Sequence, residues 1–391
     1  MKPVISDNHN NQLLYFTTSS LSADDKKLFF ISDRTGDVNI FARNLETGKD
    51  TQITQNSDGY LKSYVSFDGN PNKGLGKVTV SLDAKHETVY YVQGENICKA
   101  DIDGNITVLN QIKNNETTAY SAISADGKFL CIPTTDSRAL DYNKSDLSKD
   151  GYCFPNYEID TRVREENLNS YLNIYDTQTG ELVKRVIVER GWVTHVQFSP
   201  LDSSQILYNH EWTQTDQGTR RIWLYNGHDK THTKLRTENN TENLSGWVCH
   251  EVYTADGAAI VYHGSYVSTG LHFVGKIDTD TLKTYEIAFD KLHTKYGHFV
   301  MRNDGLIVTD GYYQRPDDII KRGKYIATLR PDWDAGTLTW QELCENKSDW
   351  DSQDSHPHPI FNHKGDKIYF TSNFEGKRGV YEVAAPIMLN Q

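Results

Sequence analysis

Cysteine is scarce and scattered. Cys98, Cys131, Cys153, Cys249 and Cys344 are odd in number and never stand as CxxC, which argues against a disulfide framework and a zinc knuckle. Long apolar runs are missing: none approaches the ~20 residues a membrane-spanning helix needs. The opening Met1-Lys2-Pro3-Val4-Ile5-Ser6-Asp7 has no apolar signal core, so the chain is expected to be unexported and cytoplasmic, with no membrane partner. Positive charge is in deficit, with 41 Lys and Arg against 53 Asp and Glu and a formal net charge of −12. That balance argues against nucleic acid, while a local cluster of cations can still attract a small anionic ligand. Several catalytic signatures are absent too. There is no GxSxG elbow, no P-loop and no GxGxxG, and neither His210-Glu211 nor His250-Glu251 continues to HExxH.

What the chain has is repetition. A small polar turn followed by an aromatic or β-branched run recurs seven times, beginning at Ser22, Ser81, Ser124, Ser199, Thr254, Arg302 and Asn362. Ser124-Ala125-Asp126-Gly127 before Phe129-Leu130 and Thr254-Ala255-Asp256-Gly257 before Ile260-Val261-Tyr262 are typical. Short strands, Asp-Gly turns and almost no helical periodicity predict an all-β fold. Seven copies averaging about 56 residues (391/7) predict a seven-bladed β-propeller. One such repeat cannot bury both its faces, so residues 1–391 are expected to form a single domain. Its last blade would be completed by a terminal strand. Residues 134–169 read as a polar insertion in the third repeat that covers one face.

Counting back six residues from the turn Asp, or seven in the longer fourth turn, reaches Thr18, Lys77, Tyr120, His195, His250, His298 and His358. In a propeller these positions belong to the innermost strands and would ring the central channel at one height. Four adjacent copies then present histidine to one cavity. A histidine with a purely structural role would recur in most copies, so the asymmetry points to a site.

The stretch Gln353-Asp354-Ser355-His356-Pro357-His358 strengthens that reading. Read as a strand, it turns His356 and His358 to one side, and Pro357 and Pro359 confine it to a sheet edge. His298, His356, His358 and the amide oxygen of Gln353 offer three nitrogens and one oxygen. Such a set suits Mn²⁺, Co²⁺ or Ni²⁺ at least as well as Zn²⁺. His250 and His195 remain as unligated imidazoles, either suited to general-base work. Arg221 is a candidate for gripping an anionic group. Lys77, Tyr120 and His210 are further candidates to line the substrate site.

Three blocks resemble the oligogalacturonate lyase family: His250-Glu251-Val252-Tyr253 with Asp256-Gly257; His298 before Asp304-Gly305; and Gln353-x-x-His356-Pro-His358-Pro with Phe370-Thr371-Ser372-Asn373-Phe374-Glu375-Gly376. The likeness is strongest over residues 195–386. It implies a seven-bladed propeller holding Mn²⁺ through His298, Gln353, His356 and His358. It also implies His250 as the base, Arg221 as partner of a substrate carboxylate, and a small anionic oligosaccharide cleaved by β-elimination. Two other readings stay open, a lyase for a different uronate-containing oligosaccharide and a non-enzymatic propeller that serves as a binding platform.

Overall fold

The repeated turn is a small hydrogen-bonded unit, which is why it is visible in the sequence. In the first repeat Ser22 Oγ donates to Asp24 Oδ1 (2.8 Å) and accepts from the Lys27 amide (3.0 Å). In the third, Ser124 Oγ donates to Asp126 Oδ1 (2.7 Å) and accepts from the Phe129 amide (2.9 Å). Thr254 and Asp256 repeat the arrangement in the fifth. In the seventh, Asn362 Oδ1 accepts from the Lys367 amide (2.8 Å). The third and fifth turns pass through a left-handed glycine, Gly127 (φ +72°) and Gly257 (φ +69°), which meets no steric penalty there.

The computed structural model describes residues 1–61, 73–140, 146–147, 153–154, 159–211, 221–236, 245–290, 297–311, 325–350 and 353–387. Within them, seven successive antiparallel sheets follow the seven repeats. The chain divides into two compact units. One comprises Thr17–Thr215 and Ile222–Thr233 and carries the first four repeats' turns; the other comprises Met1–Phe16, Asp216–Arg221 and Lys234–Gln391.

In the first of these units the sheets are meanders packed face to face. Cys131, Leu172 and Val186 of the third sheet meet Val196, Phe198, Ile206 and Tyr208 of the fourth. Tyr90, Val92 and Ile97 of the second meet Leu130, Ile132 and Tyr175 of the third. Burial on both faces explains strands that read as nearly continuous apolar runs. The insertion is shorter than the sequence suggested: Phe129–Asp136 and Asn169–Asp176 are paired strands, so residues 134–136 and 169 belong to the sheet. Part of what lies between, with Asp141 and Lys144, falls outside the described residues. The rest includes a helix the sequence reading missed, Ile159–Glu165. Its Ile159 and Val163, one turn apart, pack with Leu140, Leu168 and Trp192.

In the second unit the fifth and sixth sheets are Ser245–Tyr253 to Thr284–Ala288 and Phe299–Met301 to Thr337–Glu345. The seventh runs Ile360–Phe361, Lys367–Ser372, Gly379–Ala384 and then Lys2–Ile5. The N-terminal strand thus completes the last sheet, antiparallel to Gly379–Ala384, with Lys2 opposite Glu382. Val308 and Ile326 of the sixth sheet pack on Ile368, Phe370 and Tyr381 of the seventh.

Two local expectations are corrected. Of the seven ring positions only Lys77 and His250 lie on strands; Thr18 lies in a bend, and Tyr120, His195, His298 and His358 stand in irregular backbone just before one. Residues 353–358 are turn and irregular backbone, the strand beginning only at Ile360. The two prolines and a left-handed His358 (φ +46°) prevent regular pairing there. The Thr371 amide still donates to the Pro357 carbonyl (2.8 Å).

Candidate metal centre and its imidazole neighbours

Although residues 353–358 are not a strand, their histidines do converge. Among the described residues His298, His356 and His358 form a buried group whose potential ligand atoms all lie within 4.8 Å of one another. The Nε2 atoms of His298 and His358 are 3.1 Å apart. Neighbouring donors around an octahedral ion with ~2.1 Å bonds stand ~3.0 Å apart, and around a tetrahedral one ~3.4 Å. The observed separation therefore suits two ligands of one cation.

A buried carboxylate aims these rings. Asp310 is fully buried. Its Oδ1 accepts from the His298 amide (2.7 Å), and its Oδ2 accepts from His298 Nδ1 (2.8 Å) and the His358 amide (3.1 Å). With its proton held on Nδ1, His298 presents the Nε2 lone pair, the tautomer a metal ligand requires. Trp350 packs on His356, ring centroids 4.7 Å apart. Tyr15 stands edge-on to His358 at 5.0 Å.

Gln353 opens the turn that carries His356. Its Oε1 is buried and has no hydrogen-bond partner among the described residues. An unpaired buried amide oxygen costs about 1–3 kcal/mol, and a cation would satisfy it. Three convergent imidazoles, an oriented tautomer and an orphaned oxygen fit a divalent ion.

His250 reaches the same place by a backbone irregularity. Cys249 pairs with His263 and Val252 with Val261, so three steps on one strand oppose two on the other. His250 sits in this bulge with φ +56°. Bulges re-aim side chains, and left-handed non-glycine residues cost about 1–3 kcal/mol unless their surroundings enforce them. His250 packs against His298 with centroids 4.5 Å apart, and Phe16 stands edge-on to it at 5.3 Å. Its Nδ1 lies 2.7 Å from His263 Nε2 and 2.8 Å from the Gly297 carbonyl. Gly297 can be nothing larger, since a Cβ there would sit 2.5 Å from the Gly311 amide nitrogen. His263 is buried, which, with the nearby His272, His298 and Arg221, pushes its pKa well below the ordinary imidazole value; the Gly297 carbonyl works the other way.

Arg221 is buried, 2% exposed, and donates through Nε to Glu251 (2.8 Å), the residue after His250. The candidate cation is thus committed in part to a carboxylate of the chain itself.

The remaining candidates form local pairs. Tyr120 and His195 stack face to face, centroids 4.6 Å apart and 13° from parallel. Asn209 Oδ1 accepts from the Thr194 and His195 amides (2.9 and 2.8 Å), and Thr194 Oγ1 is 2.7 Å from His195 Nδ1 while donating to Glu211. Lys77 lies in a bulge of the second sheet, its Nζ 5.8 Å from the Tyr60 ring centroid. His210 stacks on Trp223 at 4.9 Å.

Sequence reasoning missed Asp310, His263 and Asn209. They occupy one structural position: just past the second strand of their sheet or late in it, across from the ring residue. Each follows an apolar run ending in Tyr or Thr: Tyr208-Asn209, Tyr262-His263, Thr309-Asp310. That signal was available.

Similarity to known proteins identifies the family and the fold. Residues 4–388 match the family model described as oligogalacturonate lyase. The oligogalacturonate lyase of Dickeya dadantii is 23% identical over 392 aligned positions, covering 95% of this chain and 89% of that protein. The oligogalacturonide lyase of Pectobacterium atrosepticum is 24% identical over 220 residues, an alignment spanning about half (54%) of each chain. A solved oligogalacturonate lyase in complex with manganese superposes with a TM-score of 0.77 at 20% identity, over 98% of this chain and 92% of that one. The fold is therefore that of a seven-bladed β-propeller. With nearly its whole length matched, the chain belongs to the oligogalacturonate lyase family, a family of carbon–oxygen lyases.

Proposed function

We propose that the protein cleaves short galacturonate oligomers by β-elimination, with a divalent cation, Mn²⁺ by preference, held by His298, His356, His358 and Gln353. The observation that carries this reading is the buried histidine group, its ligand atoms within 4.8 Å; the orphaned Gln353 oxygen, three residues before His356, supports it. Bound there, the cation would supply Lewis-acid stabilisation of the charge that develops on a C6 carboxylate, worth several kcal/mol.

The chain's own residues supply the rest. His250 Nε2 takes the C5 proton. The C5–H electrons form the C4–C5 double bond, and the C4–O4 bond breaks without consumption of water. A neutral imidazole is a suitable acceptor near neutral pH. Arg221 is assigned to a substrate carboxylate. His195 and Tyr120 offer a sugar a flat aromatic flank and a ring nitrogen, and Lys77 offers a cation. His210, its ring braced by Trp223, is assigned to the substrate as well. The partner is a small anionic oligosaccharide, used in the cytoplasm.

Mass spectrometry of products from a galacturonate trimer tests the reaction class. Elimination gives one fragment short of a water; hydrolysis gives two saturated fragments and would overturn the proposal. Turnover of another uronate oligomer and none of galacturonate would move the substrate and keep the chemistry.

A further inference from the structure

His263 has no role in the reaction as described, yet its ring reaches His250 at hydrogen-bonding distance. The contact between His250 Nδ1 and His263 Nε2 is 2.7 Å, and that between His250 Nδ1 and the Gly297 carbonyl is 2.8 Å. Two nitrogens this close need one hydrogen between them, and a carbonyl oxygen can only accept.

There are two ways to place that hydrogen. On His263 Nε2, it serves the imidazole pair and can also reach the Gly297 oxygen, but it leaves His250 Nδ1 and that oxygen, 2.8 Å apart, facing each other lone pair to lone pair. A neutral His250 would then carry its proton on Nε2, where a base needs a vacant lone pair. On His250 Nδ1, the hydrogen makes both short contacts attractive and leaves Nε2 unprotonated. We infer that His263, as an acceptor through Nε2, acts with the Gly297 carbonyl as a positioning residue that fixes His250 in its Nδ1–H tautomer and turns Nε2 toward the substrate. This rests on the reading of His250 as base.

Three further observations support the assignment. His263 is held rigidly, its ring 4.3 Å from that of Phe299 and paired through Cys249 to the bulged strand. Its burial favours the neutral form, the only one able to accept. The left-handed backbone of His250 needs an external restraint, and a ring anchored at Nδ1 from two sides provides one. The arrangement parallels the Asp310–His298 pair, where the carboxylate sets the tautomer of the neighbouring imidazole.

The test is ¹⁵N NMR of the full-length chain with labelled histidine, recorded without metal and again with diamagnetic Zn²⁺. His250 is assigned by loss of its signals in His250→Ala. The expected spectrum has His250 Nδ1 protonated and Nε2 bare, with His263 Nε2 bare. A protonated His250 Nε2 overturns the proposal whether or not galacturonate is the substrate. In His263→Phe the His250 signals should become a mixture of tautomers and kcat should fall roughly 10- to 100-fold, as for other partners that orient an imidazole. KM and Mn²⁺ content should hold. His263→Gln, whose amide oxygen can accept, should recover most of the rate, and it is the fallback if His263→Phe does not fold. Unchanged spectrum and rate in a folded His263→Phe, or mixed His250 tautomers with wild-type kcat in a folded His263→Gln, would contradict the inference.

Discussion

Asp310 holds His298 at two points, accepting from its backbone amide at 2.7 Å and from its ring Nδ1 at 2.8 Å. The same carboxylate takes the His358 amide at 3.1 Å, so one buried side chain fixes two proposed ligands that lie 60 residues apart. Asp310→Asn keeps the size but replaces one acceptor oxygen by a donor. Mn²⁺ affinity should fall about 10- to 100-fold. Calorimetric titration of the variant checks this, and an unchanged affinity would remove Asp310 from the centre.

His250→Ala separates binding from chemistry. No proposed ligand is replaced, so Mn²⁺ should still bind while kcat on galacturonate oligomers drops ~10²–10⁴-fold. Steady-state kinetics beside metal analysis decide it. A variant that keeps the wild-type kcat would leave the proton acceptor to be sought elsewhere.

Arg221 and Glu251 are each 2% exposed. Removing one partner of a buried ion pair leaves an uncompensated charge, a loss of about 3–5 kcal/mol. Arg221→Ala should therefore lower stability as well as raise KM. The double variant Arg221→Met, Glu251→Gln isolates the second effect. Its denaturation midpoint should return toward wild type while KM stays high. Recovery of both would make Arg221 a strut for the His250 bulge and not a substrate partner.

Acid should weaken the fold through His263. Its folded pKa lies well below the unfolded value, which for imidazole is about 6.5. Above that pH neither state binds the proton and the contribution to stability is complete. As the pH falls from there toward the folded pKa only the unfolded state is protonated, so stability declines. The melting temperature of the metal-free chain should fall on going from neutral to mildly acidic buffer, and His263→Gln should flatten that slope. An equal slope in the variant would place the acid sensitivity elsewhere.

The parts of this architecture that could be read from sequence are those encoded locally. Ser124, Asp126 and Gly127 make their turn within a few residues, so seven such turns announced seven sheets. His298, His356 and His358 were legible because rare side chains fell at one repeat position or in one short motif. Asp310 and His263 were missed, because each meets its histidine across a strand pair, 12 and 13 residues away, and the local mark is only the apolar run that each follows. The strand assigned to residues 353–358 failed for a backbone reason. Alternation would have aligned His356 and His358, but a left-handed His358 and an amide captured by Asp310 bring them together instead. The helix Ile159–Glu165 is two turns long, too short for a periodic pattern.

The central claim is metal-dependent β-elimination at the histidine group. It is tested most directly by the ultraviolet absorbance of the conjugated 4,5-unsaturated uronate, followed on mixing a galacturonate trimer with the chelator-stripped chain. The account predicts no signal until Mn²⁺ is added, then steady growth, and neither metal binding nor growth with His356→Ala. Stoichiometric Mn²⁺ binding to the wild type with no absorbance, or a rate that His356→Ala leaves intact, would contradict it.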